Sequence, residues 1–161
     1  MSAVVKFTEA SSIAMHTMTF LASRRDQHVT VGEIAASLPV SENHLAKVLQ
    51  RLTRAGLVEG LRGPGGGFLL RGDPAEITLL QVHEAIEGRF EISPCLFSPP
   101  KCCGNCILGD ATREANALVH ARLARTRLAD AVHVFGPRPA QATPGKTAPG
   151  SPKPRARARP H

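Results

Sequence analysis

Residues 63–67 read Gly-Pro-Gly-Gly-Gly, directly after Arg62, and neither a helix nor a sheet interior runs through five such positions. Glycine loses the most backbone entropy on ordering and proline has no N–H to donate, so the chain must turn there. On either side stand short runs suited to extended backbone, Leu57-Val58-Glu59-Gly60-Leu61 and Phe68-Leu69-Leu70. The local solution is strand, glycine-rich tip, strand: a β-wing.

Helical patterns surround this wing. From Ala10 to about Ser23, Ile13, Ala14, Met18, Phe20 and Leu21 recur at near-helical spacing. Thr30-x-x-Glu33 has the form of a capping box ahead of Ile34, Ala35 and Leu38, and Pro39 limits that second helix to roughly two turns. Ser41 is placed to cap a third helix whose Leu45, Val48, Leu49 and Leu52 form one apolar stripe, ended by Ala55-Gly56. Two short helices around a tight turn form a helix-turn-helix pattern. Thr78-x-x-Gln81 caps a further helix through Glu87, closed by Gly88. Asp110 is expected to cap a long final helix to about Phe135, with Ala111, Ala115, Leu118, Ala121, Leu128, Val132 and Phe135 on or near one face. A helix with such a face needs a partner.

The expected fold is therefore mainly α with a small β-wing. It divides into a winged helix-turn-helix DNA-binding domain (1–88), a cysteine-bearing loop (89–109), a C-terminal dimerisation helix (110–135) and a disordered basic Pro/Ala/Arg tail (136–161). The core must rest on Leu, Val, Ile and Ala, since the 161 residues include six Phe and no Trp or Tyr. The net charge of +7 is misleading as a sign of nucleic-acid binding: residues 136–161 carry six basic groups and no acid, leaving fourteen basic and thirteen acidic groups in the body. Any DNA argument for the body must come from where its charges sit. The tail, with Lys153, Arg155, Arg157 and Arg159, either adds affinity through counterion release or is a solvated end with no dedicated role.

No apolar run is long enough to span a membrane, and the N-terminus lacks a signal-peptide pattern, so a cytoplasmic protein with no membrane partner is expected. No nucleotide loop, nucleophile elbow or paired-His zinc motif occurs, which argues against an enzyme. All four cysteines, Cys95, Cys102, Cys103 and Cys106, fall within twelve positions. In a reducing compartment such a cluster means metal ligands or redox thiols before structural disulfides.

An α-helix fits the DNA major groove, and with Leu45, Val48, Leu49 and Leu52 buried the third helix presents its polar residues outward. Asn43 and Gln50 suit base edges; Lys47, Arg51 and Arg54 suit phosphates, and His44 a phosphate contact. Arg62, beside a tip where Gly65 allows close backbone approach, suits a minor groove. Taken singly, two short helices with charged faces are ordinary surface elements, and a winged helix can also serve protein–protein contact. The ordered combination of helix, helix and wing favours nucleic acid.

The motifs Val40-Ser41-x-x-x-Leu45-x-Lys47-Val48-Leu49-x-x-Leu52, Ala55-Gly56-Leu57-Val58 and Arg62-Gly63-Pro64-Gly65-Gly66-Gly67-Phe68-x-Leu70, followed by a cysteine cluster, resemble the Rrf-type winged helix-turn-helix transcriptional regulators, the family that includes IscR and NsrR. The resemblance covers about residues 5–135. It implies a homodimeric regulator, with repression favoured, that binds double-stranded DNA at a pseudo-palindromic operator through positions including Ser41, Asn43, Lys47 and Arg62. It also implies a 2Fe-2S or 4Fe-4S cluster on three cysteines, sometimes with a fourth ligand from the other subunit.

The segment from Pro94 to Cys106 offers the thiolates and backbone-rich loop that such a cluster requires, and Lys101 favours an anionic group. Cys95 and Cys106 are the firmer ligands; the adjacent pair departs from the even spacing common in the family and leaves Cys102 and Cys103 as alternatives for the third. Where some relatives carry an acidic ligand this chain has Ser12, a poor iron ligand, so His16 or Glu9 of the partner subunit are the candidates for a fourth. Structural zinc, a metal-free thiol switch, and an iron-sulfur carrier or electron-transfer protein are the competing readings of the cysteines.

Overall fold

The computed structural model describes residues 7–63, 66–92, 108 and 110–135. The elements run α1 (Glu9–Ser23), α2 (Val31–Ser37), α3 (Glu42–Arg54), β1 (Val58–Leu61), β2 (Gly67–Leu70), α4 (Leu79–Glu87), α5 (Ala111–Arg125) and α6 (Leu128–Ala131), with a 3-10 turn at Val132–Phe135. The expected mainly α fold with a two-stranded wing is the observed one.

Helix starts follow the local chemistry of the sequence. Thr30 and Thr78 each form a complete capping box, with the hydroxyl accepting from the N–H three residues on and Glu33 or Gln81 accepting from the cap N–H. The Thr30 backbone and hydroxyl donors hold the Glu33 carboxyl below the ordinary carboxylate range. Ser41 caps α3 by accepting from the His44 N–H at 3.3 Å. Asp110 departs from expectation. Its side chain makes no cap bond, and its carboxylate instead pairs with Arg113 at 3.0 Å.

Helix α1 is the element around which the others assemble, packing against α3, α4, α6, β2 and the 3-10 turn. Ala14, Met18 and Leu21 are buried there, and the predicted α3 stripe of Leu45, Val48, Leu49 and Leu52 is buried together with Ile34, Val58, Val82 and Ile86. Each fully buried Leu or Ile contributes about 1.5–3 kcal/mol relative to exposure.

The wing is antiparallel, with Val58 opposite Leu70 and Leu61 opposite Gly67. An isolated bridge from Val29 to Phe68, with Val29 N donating to the Phe68 carbonyl at 3.0 Å and Phe68 N to the Val29 carbonyl at 2.8 Å, ties the wing to the chain entering α2. A Cβ on Gly67 would lie 2.7 Å from the Val29 carbonyl oxygen, so that strand approaches only with glycine there. Gly63, with φ of +102°, takes the left-handed turn out of β1.

The single helix expected over 110–135 is instead broken. Thr126 and Arg127 are extended, and Arg127 forms an isolated bridge with Thr78. Leu79 N donates to the Thr126 carbonyl at 2.9 Å, Leu128 N to the Ile77 carbonyl at 2.9 Å, and the Arg127 guanidinium to the Glu76 carbonyl at 2.9 Å. The break turns Leu128 into the core with no exposure and lays Phe135 edge-on to Phe20, ring centroids 5.4 Å apart. Leu128, Val132 and Phe135 thus pack on their own subunit, while Ala111, Ala115, Leu118 and Ala121 are exposed, Leu118 at 70%. Leu128, with partly buried Val132 and Phe135, gains contacts within the subunit at the expense of helix continuity, while Leu118 stays exposed. Leu128→Ala should accordingly cost about 2–5 kcal/mol in chemical denaturation; a loss under about 0.5 kcal/mol would mean that the α6 closure contributes little.

Candidate nucleic-acid interface and the groove beside it

On α3, at about 100° per residue, Asn43, Lys47, Gln50 and Arg54 fall within about 60° of one another, opposite the buried leucine stripe. All four are exposed, as are Ser41 at the helix start and Arg62 at the end of β1. The Ser41 hydroxyl accepts from the His44 N–H, which leaves its proton to donate outward. The result is a polar stripe of two amides and two cations beside a wing carrying a third cation. Gly65, at the wing tip, lies outside the described residues.

His44 and Arg51 stand on the flank of this helix, about 70–90° round from the stripe. His44 is half-buried, with Nδ1 3.8 Å from a Glu9 carboxylate oxygen on α1. The Arg51 guanidinium donates to the Ile86 carbonyl in the last turn of α4. Arg51 remains an exposed side chain on that flank.

Glu9 and His16, the candidate fourth ligands, both line a groove of about 250 Å³ between α1 and the α2–α3 turn, with Ser12, Ile13, Leu38, Pro39 and Val40. His16 Nδ1 lies 2.8 Å from the Ser12 carbonyl oxygen; with that nitrogen donating, Nε2 is the ring's ligating position. Among the described residues no group of three or more His, Cys, Asp or Glu is placed to hold a metal. Cys95, Cys102, Cys103 and Cys106 lie outside the described residues, as does the basic tail.

Over residues 7–134 the sequence matches the Rrf2 family, described as iron-dependent transcriptional regulators. The chain belongs to the Rrf2 family. As an Rrf2 protein it is a DNA-binding transcriptional regulator and not an enzyme. It is similar to the helix-turn-helix regulator BadM of Rhodopseudomonas palustris, 40% identical over 83 residues covering 52% of this chain and 53% of that protein. The match thus spans about half the length of BadM. NsrR of Bacillus subtilis is 34% identical over 100 residues, 62% of this chain and 68% of NsrR. An Aquifex aeolicus helix-turn-helix regulator is 29% identical over 132 residues, 80% of this chain and 92% of the relative. Among solved structures, CymR of B. subtilis matches with a TM-score of 0.67 at 23% identity over 81% of this chain and 98% of CymR. IscR of T. potens gives 0.62 at 22% identity over 78% and 85% of the two chains. These two likenesses speak to the Rrf2 fold. Among the described residues no helix is long and apolar enough to cross a membrane.

One structural feature of this Rrf2 chain has no signal in its motifs. His83 on α4 is 4% exposed, and its Nδ1 is buried without a hydrogen-bond partner. Its ring sits 5.6 Å from that of Phe7 and 5.6 Å from that of Phe90, and Phe90 in turn meets His120 of α5 at 5.2 Å. The four rings join the lead into α1, α4, the segment after α4 and α5. The only hint in the sequence is position: His83 lies between Val82 and Ile86 on the buried side of α4.

Burial disfavours the imidazolium and pushes the His83 pKa down, against the pull of Glu87 and Glu84. The folded protein then binds fewer protons than the unfolded chain below the ordinary histidine value of about 6.5. The stability His83 contributes is full above that value and is lost as pH falls toward the folded pKa. The urea midpoint of wild type should drop between about pH 7 and 5 more steeply than that of His83→Phe; parallel pH profiles would exclude His83 as the cause.

Proposed function

We propose that this Rrf2 protein is a homodimeric regulator, acting by repression, whose DNA affinity is gated by an iron-sulfur cluster sensing nitric oxide, iron or redox state. The observation that carries this reading is the position of the four thiols. They lie on the segment between α4 and α5, hence between the helix packed behind the DNA-reading unit and the helix that leaves Ala111, Ala115 and Leu118 exposed. A change of ligation there acts on both at once.

Cys95, Cys106 and one of Cys102 and Cys103 supply the thiolate donor set that an iron-sulfur centre takes. Glu9 or His16 of a second subunit is available as the fourth ligand, and the groove these residues line adjoins the α2–α3 turn. When bound, the cluster supplies a redox-active, anionic centre whose assembly or loss changes the charge and order of its loop. The chain does the rest. The α3 stripe of Asn43 and Gln50 reads base edges, Ser41, Lys47 and Arg54 take phosphates, and Arg62 enters the minor groove beside the wing. The exposed small-apolar face of α5 pairs two copies, and two recognition helices then meet half-sites about 34 Å apart, or a multiple of that, on a pseudo-palindrome. A shift of a few ångströms between them changes affinity by orders of magnitude.

The deciding experiment is anaerobic purification with visible absorption, iron and acid-labile sulfide assay, and DNA retardation before and after cluster removal. A brown protein whose affinity changes on stripping supports the reading. A colourless zinc protein with unchanged affinity makes the cysteine loop a structural staple, and a cluster protein that retards no duplex makes it a carrier. Arg62→Ala should weaken specific binding by about 1–3 kcal/mol with iron content unaltered; an unshifted gel-retardation titration would remove the wing from the interface.

A further inference from the structure

We propose that His83 is a proton-operated latch at the joint between α4 and α5: as the neutral imidazole it closes the ring stack that docks α5 on α4, and as the imidazolium it opens that stack. The latch stands on the residues of the joint and is independent of the function proposed above.

The joint is built differently from the rest of the domain. Helices α1, α3 and α4 meet through buried aliphatic side chains, Leu45, Leu49, Val82 and Ile86 among them. Helix α5 packs on α4, yet before Val119 the side chains it buries are Thr112 and Asn116, and the Thr112 hydroxyl has no hydrogen-bond partner. Leu123, in its last turn, is buried apart from the main aliphatic cluster. Little hydrophobic free energy therefore holds the first half of α5, and contact between rings takes a correspondingly larger share.

Four rings supply that contact in series, Phe7 to His83 at 5.6 Å, His83 to Phe90 at 5.6 Å and Phe90 to His120 at 5.2 Å between centroids. Phe90 is the middle piece, between a histidine of α4 and a histidine of α5. Its N–H donates to a Glu84 carboxylate oxygen at 2.9 Å, which seats it against α4.

His83 is the member enclosed away from water. A neutral imidazole carries one N–H and an imidazolium two, and Nδ1 is buried with no acceptor in reach. A proton taken from solvent onto this ring is accommodated only when a neighbour moves aside and water enters. Burial holds its pKa below the ordinary value, against Glu87 and Glu84 of its own helix. Glu84 already carries the Phe90 N–H, so an imidazolium drawn toward it competes with the bond that seats Phe90. From α5 the ionisable group at the stack is His120, beyond the Phe90 ring. The lead into α1 brings the Phe7 ring, while Glu9, the acid of α1, stands 3.8 Å from His44 of α3. The open joint titrates near the ordinary histidine value of about 6.5 and the closed joint below it. Closure is therefore full above that value and is lost as pH falls toward the closed pKa.

The Phe90 amide reports the joint, because it exchanges with solvent when Phe90 leaves Glu84. The Phe68 amide, on the Val29 carbonyl at 2.8 Å, reports the rest of the domain. Hydrogen exchange is followed by NMR on the full-length chain, with rates normalised to those of unstructured peptide, in wild type, His83→Phe and His120→Phe. In wild type, protection of Phe90 relative to Phe68 should fall about 10–25-fold between about pH 7 and 5. Its midpoint should coincide with that of the His83 ring signals, and cross-relaxation between the Phe90 and His120 rings should weaken in step. His83→Phe should abolish the fall, and His120→Phe should keep it.

Equal loss at Phe68 and Phe90 makes the effect a general destabilisation and overturns the latch. So does a fall that survives in His83→Phe or vanishes in His120→Phe, and so does a Phe90 amide unprotected at pH 7. Should His83→Phe not fold, the wild-type midpoints decide alone: a Phe90 transition displaced from that of the His83 ring refutes the proposal.

Discussion

The fold depends on the enclosure of α1, which packs against α3, α4, α6, β2 and the C-terminal 3-10 turn. Its exposed polar stripe is narrow, Glu9, His16 and Ser23 with half-buried Ser12, and Ser11, Thr17 and Thr19 are buried with its aliphatic residues because α3, α4, α6, β2 and the C-terminal turn enclose it from several sides. Met18 and Ala14, both without exposure, sit at that meeting point. A helix so enclosed acts as a common floor, and elements distant in sequence take their relative orientation from it.

The DNA-reading geometry follows. Helix α3 has one wide apolar stripe and packs it onto α1 and α4, which leaves its opposite side as the only one free to enter a groove. The wing is fixed to the chain entering α2 by the Val29–Phe68 bridge, and to the end of α3 by Leu57 N on the Leu52 carbonyl at 3.1 Å. Helix and wing therefore move together as one reading head. Just beyond Gly88, Phe90 is held to the same body by its N–H on Glu84 and by its ring against His83 and His120.

Much of this was legible in the sequence, for a definite reason. Capping boxes, an apolar stripe and a glycine tip are local signals, and the local free energy they describe agrees with the structure at Thr30, Ser41, Thr78, Gly63 and Gly67. The outward placement of Asn43, Lys47, Gln50 and Arg54 follows from the same stripe. The failures arise where another contact outweighs the expected local one. The span 110–135 has helical periodicity throughout, but burial of Leu128 beside Ile77 and the backbone bonds to residues 77–79 exceed what a continuous helix would gain. Asp110 has the right residue type for a cap, yet Arg113 one turn on competes for its carboxylate.

Charge balance sets how specificity must work. The body of the chain carries fourteen basic against thirteen acidic groups, so it offers little field to hold DNA at long range. Local arrangement has to compensate. On the outward stripe of α3 the side chains are two amides and two cations with no carboxylate among them, and Glu42, the one acid of that helix, sits in its first turn, where the helix dipole favours it. A weakly charged head with a few well-placed donors binds non-matching DNA poorly, because non-specific affinity scales with the number of phosphates neutralised. It also makes affinity sensitive to small rotations of α3, since little non-specific attraction remains to hold a misaligned helix in the groove. A regulator built this way depends on the anchors of its reading helix more than on its net charge.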